Sequence, residues 1–85
     1  MKIQFSKHAL ESMKKRGASR AEVKEAILKG TWEQAKQGRV ESIRNFSYNR
    51  EWNGVFYEKK QVNPVFIKED EVITVITVYA FYFNS

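Results

Sequence analysis

Apolar positions along this chain change period twice, dividing it into a short strand, a pair of helices and a run of strands. Ile3 and Phe5 alternate with polar neighbours and predict a first strand. From Ser6 the spacing becomes helical, and Ser6 caps a helix of about ten residues that ends at Gly17. Phe5 and Leu10 flank that cap as a hydrophobic staple. Ala9, Leu10 and Met13 form the buried stripe of this helix, with His8, Ser12 and Lys15 opposite and Arg16 on the border. Ser19-Arg20-Ala21-Glu22 is a capping box for a second helix, which runs to Lys29, is closed by Gly30 and buries Val23, Ala26 and Ile27. Helices this short are marginal alone in water, so the hairpin they form requires a sheet to pack on.

Alternation returns at Thr31, weakly through Trp32 and Ala35 and more strongly from Val40 to Tyr48. Asn53-Gly54 predicts a type I′ hairpin turn, because both residues tolerate positive φ. Val55 to Val62 follows, and Pro64, which lacks an N–H, predicts a bulge or a short break before Val65 to Ile67. Lys68 to Glu71 is a charged turn into Val72–Phe83, a segment almost wholly β-branched or aromatic. Apolar side chains at both parities place this last strand inside the sheet. Strict alternation would turn Thr74, Ile76, Val78 and Ala80 toward the helices and Thr77 and Tyr79 away from them. The run is shorter than the roughly 18 apolar residues of a helical membrane span, and Thr74 and Thr77 interrupt it. The expected fold is a single α+β domain over residues 1–85, with the helix hairpin on one face of an antiparallel sheet in the order β-α-α-β-β-β-β.

Composition sharpens this picture in three places. A chain of 85 residues has little area to bury, so its twelve Phe, Trp and Tyr are needed for the core before any other use. Without Cys and with one His there is no disulfide framework, no thiolate nucleophile and no imidazole cluster, and no metal or other cofactor is expected. The opening residues contain no apolar run that could serve as a signal peptide, which predicts a cytoplasmic protein with no membrane partner. The net charge of +5 lies entirely in residues 1–30, where eight Lys and Arg face Glu11, Glu22 and Glu25. A basic region of this kind attracts polyanions such as RNA, although lysines also serve simply to keep surface helices solvated.

The words Phe5-Ser6-Lys7-His8-Ala9-Leu10-Glu11-Ser12-Met13-Lys14-Lys15-Arg16-Gly17 and Ser19 to Val23 resemble the opening of domain-of-unknown-function family 4258. The shared features are His-Ala at the start of helix one, Met-x-x-Arg-Gly at its end, and a second helix opening on a hydroxyl residue with an acid and a Val behind it. Thr77-Val78-Tyr79 resembles the closing element of that family. Its order of elements is similar to that of the RelE and BrnT toxins, small ribonucleases of toxin–antitoxin systems. This implies RNA as substrate and an antitoxin-like protein as partner, by analogy of fold.

Cleavage of RNA without a metal needs a base for the 2′-hydroxyl proton, an acid for the leaving oxygen and cations for the extra phosphate charge. His8, whose side chain alone has an ordinary pKa near neutrality, is the first candidate for acid or base, and the first turn of its helix offers free N–H groups to a phosphate. The same position also suits a histidine that merely packs there or bonds Ser12 or Glu11. Arg16, Arg44, Tyr57 and Tyr79 are the further catalytic candidates, and Lys15, Arg50 and Lys60 the phosphate-binding ones. Lys59 and Lys60 fall on opposite faces of their strand, so only one of them can line a groove on the sheet. Two further readings share these residues: a non-catalytic module that binds nucleic acid or a protein, and a homodimer formed through an exposed edge or aromatic patch.

Overall fold

A computed structural model describes residues 1–85. The chain forms β1 (Lys2–Phe5), α1 (Lys7–Arg16), α2 (Arg20–Lys29), β2 (Thr31–Gln34), β3 (Val40–Trp52), β4 (Val55–Glu69) and β5 (Val72–Phe83), with a single 3-10 turn at Lys36–Gly38. The five strands make one sheet in the order β1-β5-β4-β3-β2. This is an α+β fold, and β5 is interior, as its two-sided apolar pattern requires. Three pairings are antiparallel, but β1 runs parallel to β5, with Ile3 opposite Ile73 and Phe5 opposite Val75. The sheet is therefore mixed where a wholly antiparallel one was expected. The cause is the hairpin of helices, which carries the chain from β1 back over the sheet and leaves β1 to enter beside β5 in the same direction.

Local chemistry sets the helix ends. The Ser6 hydroxyl accepts from the Ala9 N–H at 3.0 Å, and the Ser19–Glu22 box forms in both directions at 2.9 and 3.1 Å. Gly17 closes α1 at φ 75°, and its N–H returns to the Met13 carbonyl. A side chain there would be doubly excluded, since a Cβ would lie 2.6 Å from the Trp52 ring and 2.7 Å from the Tyr82 hydroxyl.

One sheet face meets both helices. Ala9, Met13, Val23, Ala26 and Ile27 pack on Val62, Phe66, Ile73, Val75 and Val78. Ser12 joins this buried side as well, contrary to its expected place opposite the stripe, because its hydroxyl has backbone partners there. The parity of β5 also differs from strict alternation. Val65 pairs with Thr77 but Phe66 with Val75, so Ile76 is an extra residue, a bulge that reverses the faces midway along the strand. Ile73 and Val75 point to the helices before it, Val78 after it; Thr74 and Ile76 are only half-buried. Thr77 and Tyr79 do lie away from the core.

Pro64 does not break β4, which is continuous through it. Its missing N–H is replaced from the neighbouring residue: the Asn63 side-chain amide donates to the Ser42 carbonyl at 2.8 Å. The Asn53-Gly54 turn joins β3 to β4 with φ of 52° and 83°, as the sequence predicts. No helix is long and apolar enough to cross a membrane.

The bulge makes a sharp distinction between neighbours. Val78→Asp would bury an unpaired charge at a fully buried position, at a cost comparable to the roughly 5–15 kcal/mol that holds a domain together, and is expected to abolish the cooperative thermal transition. Ile76→Asp is expected to lower the midpoint but keep the transition. Gly17→Ala should destabilise by at least about 1–2 kcal/mol from the left-handed backbone alone, measured by denaturant unfolding.

Candidate functional site

Beyond Val75, β5 has no strand on its outer side, because β1 ends at Phe5. Helix α1 takes that place and satisfies the exposed backbone with its own groups. The Ser6 N–H donates to the Val75 carbonyl at 3.0 Å, and the Ser6 hydroxyl to the Ile76 carbonyl at 3.1 Å. The Val78 N–H donates to the Ser12 hydroxyl at 3.1 Å, and Arg16 Nη1 donates to the Val78 carbonyl at 3.3 Å. A helix laid along a strand edge leaves a furrow on its outer flank.

That furrow is a cleft of about 170 Å³. Helix α1 contributes His8, Glu11, Ser12, Lys15 and Arg16, a stripe at i, i+3, i+4, i+7 and i+8, and β5 contributes Thr77 and Tyr79. Four residues expected at a site, His8, Lys15, Arg16 and Tyr79, thus converge. The Arg16 guanidinium lies over the Tyr79 ring at 5.0 Å from its centroid, which holds both groups in the cleft wall. Thr77 lines the cleft beside Tyr79, with which it was expected to share the face away from the helices, whereas Glu11 was not expected there. The spacing of three between His8 and Glu11 was the available signal for Glu11.

The remaining candidates lie elsewhere. Arg44 pairs with Glu25 of α2 at 2.9 Å and covers the Phe46 ring. Arg50 stacks over Tyr48 at 4.7 Å, and Tyr57 approaches the Tyr82 ring at 5.8 Å. Lys60, expected at phosphate, is turned beneath the helix hairpin with 2% exposure. There its ammonium donates to the Gly17 carbonyl and to Glu22 Oε1 at 2.8 Å, between the faces of Tyr48 and Tyr82. A buried ammonium is tolerable only with such partners, and none of them is at the cleft. Of the two lysines, Lys59 takes the open face, opposite Phe83.

The Lys60 cluster leaves marks on two neighbours. Burial alone would raise the Glu22 carboxyl, but hydrogen bonds from Lys60 and Ser19 and the Lys60 charge outweigh it and hold the group below its ordinary value of 4.5. Tyr82 is pushed up to about 12, first by burial and then by Tyr48 and Glu22, while its hydroxyl donates to the Arg16 carbonyl at 2.6 Å. No group of three or more His, Cys, Asp or Glu side chains converges anywhere in the fold.

These shifts fix the sign of two pH effects. Glu22 is more acidic folded than unfolded, so its contribution is full above pH 4.5 and is lost as pH falls through the folded value. Tyr82 holds its proton more tightly when folded, so its contribution is full below its ordinary 10.0 and is lost as pH rises toward about 12. Thermal midpoints measured across pH should fall on both sides, with Glu22→Gln flattening the acid limb and Tyr82→Phe the alkaline one.

No curated protein and no solved structure matches this chain. Neither comparison supports the likeness to RelE and BrnT toxins. One family does match, over residues 5–80, and its span takes in all of α1 and β5 as far as Ala80, hence every residue that lines the cleft. The chain belongs to that family, the domain of unknown function DUF4258.

Proposed function

We propose that this chain is a cytoplasmic, RNA-directed protein and that the cleft between α1 and β5 is a metal-independent ribonuclease site. The observation that carries the reading is the convergence of His8, Glu11, Lys15 and Arg16 along one face of α1, with Tyr79 opposite. A proton carrier, a carboxylate and two cations are the parts that phosphodiester cleavage by a neighbouring hydroxyl requires.

In this reading Glu11 takes the proton of the 2′-hydroxyl as the 2′-oxygen attacks the adjacent phosphorus. The bond from phosphorus to the 5′-oxygen breaks, and the His8 imidazolium gives its proton to that departing oxygen. The products are a 2′,3′-cyclic phosphate and a 5′-hydroxyl end. Lys15 and Arg16 stabilise the charge that builds on the phosphoryl oxygens; Arg16 spends one N–H on Val78 and keeps the others for this purpose. The Tyr79 ring, 40% exposed, offers a face to a base. The order of elements, shared with toxin ribonucleases, supports the same class of substrate, and an antitoxin-like protein would then act by covering the cleft.

Purified protein incubated with RNA in EDTA should yield fragments ending in cyclic phosphate. His8→Ala should slow this by roughly 10²–10⁴-fold, the usual share of a general acid. A cleavage pattern that His8→Ala leaves unchanged sinks the assignment. RNA binding with no cleavage by the parent would leave the cleft as a non-catalytic nucleic-acid site.

A further inference from the structure

The sheet has a second face, which nothing in the chain covers. After the bulge, Tyr79, Phe81 and Phe83 stand in a row on that face, since Val78 and Tyr82 point to the helices. Tyr79 and Phe81 are 40% and 52% exposed, and their rings lie near parallel, 19° apart with centroids separated by 6.5 Å. The register sets Asn63 opposite Tyr79, Gln61 opposite Phe81 and Lys59 opposite Phe83. One strand further, Asn45 faces Gln61, and the two amides join at 3.0 Å. The row begins in the cleft itself, where Tyr79 carries the Arg16 guanidinium.

We infer that this row is a track for single-stranded RNA leading out of the cleft. The inference rests on the RNA-directed reading above and names the form of the substrate. Alternate residues of a strand are spaced at roughly 6.8 Å, so each ring can take a separate unpaired base. Stacking of this kind needs exposed base faces, which a duplex hides within its own stack. The flanking side-chain amides still have an unused oxygen each on Asn63 and Gln61, chemistry suited to base edges. Lys59 at the far end and Arg16 at the near end supply cations for the backbone. A protein partner fits less well, because polar side chains, Asn63, Gln61 and Lys59, border the aromatic row along its length, and the apolar neighbour beside its start, Val65, is only 8% exposed.

The test uses a single-stranded 2′-O-methyl hexanucleotide, which has no 2′-hydroxyl to attack phosphorus, so binding is measured apart from cleavage. Fluorescence anisotropy should show the parent binding it more tightly than the matching duplex. Phe81→Ala, at an exposed position, should melt like the parent yet bind the single strand roughly 5- to 100-fold more weakly. Phe81→Trp should bind as the parent does, with fluorescence of the new indole quenched on titration. Equal binding by Phe81→Ala and the parent, or equal affinity for duplex and single strand, overturns the track. So does a Phe81→Ala protein whose mass by light scattering drops from dimer to monomer, which would assign the row to contact between copies. Failure of the ribonuclease reading shows separately, as unmodified RNA that is not cut in a His8-dependent way.

Discussion

An unpaired strand edge is the constraint from which most of this molecule follows. β5 is the most apolar strand and must sit inside the sheet, yet β1 is long enough to pair only its first four residues. From Ile76 onward its outer backbone groups would face a helix or water. Three polar side chains, that of Ser6 at the N-cap of α1 and those of Ser12 and Arg16 within it, meet those groups one after another along the helix. This is why a serine stands in the middle of an otherwise apolar helix face, and why an arginine near the helix C-terminus reaches across to a strand. The bulge at Ile76 belongs to the same device, since it turns an extra carbonyl outward where the Ser6 hydroxyl can donate to it. The cleft is a by-product of that docking: once the inner flank of α1 is committed to β5, its outer flank, rich in charge, borders the same strand.

The other end of the sheet is organised around a different solution. There, in a molecule 40 Å long and 24 Å wide, the tip of the β3–β4 hairpin lies under the helix turn, with Trp52 against Gly17. Its underside is closed by Trp52, Tyr48 and Tyr82 around the Lys60 ammonium, with Trp52 stacked on Tyr82 at 4.8 Å. A buried cation in so small a domain is less stabilising than an apolar side chain would be, but it demands one arrangement of partners. Glu22 on α2, the carbonyl of Gly17 and two tyrosine faces must all be present together, which pins the helix turn to the hairpin.

Much of this was legible from residues alone. The two helix caps, the glycine stop of α1, the Asn-Gly turn and the interior place of β5 each rest on short-range chemistry, and short-range chemistry is what a sequence displays. What was not legible depended on partners distant in the chain. Nothing near Ile76 announces a bulge, because it arises from fitting β5 to β4 on one side and to α1 on the other; alternation therefore assigned the wrong half of the buried face. Lys60 carries no local sign of burial, since its acceptors lie some forty positions earlier. Ser12 was placed outside for the same reason: its acceptor role toward Val78 exists only after the sheet forms. At the cleft, His8, Lys15 and Arg16 could be grouped by helical spacing, and Tyr79 by strand parity past the bulge. Arg44, Arg50 and Tyr57 could not be set apart from them without knowing which strand positions face the helices.

The parallel pairing of β1 with β5 has a consequence for the order in which the protein assembles. Gln4 bonds Thr74 across 70 positions, so joining these strands closes a loop whose entropic cost is roughly 4 kcal/mol. The β3–β4 hairpin needs only near neighbours and can form early, offering α2 a surface to pack on, whereas the floor of α1 waits for residues 72–83. During synthesis, therefore, Ala9 and Met13 of α1 stay uncovered until β5 is available to pair with β1. During that interval the growing polypeptide carries a greasy, unfinished first helix, and its burial is timed by translation of β5.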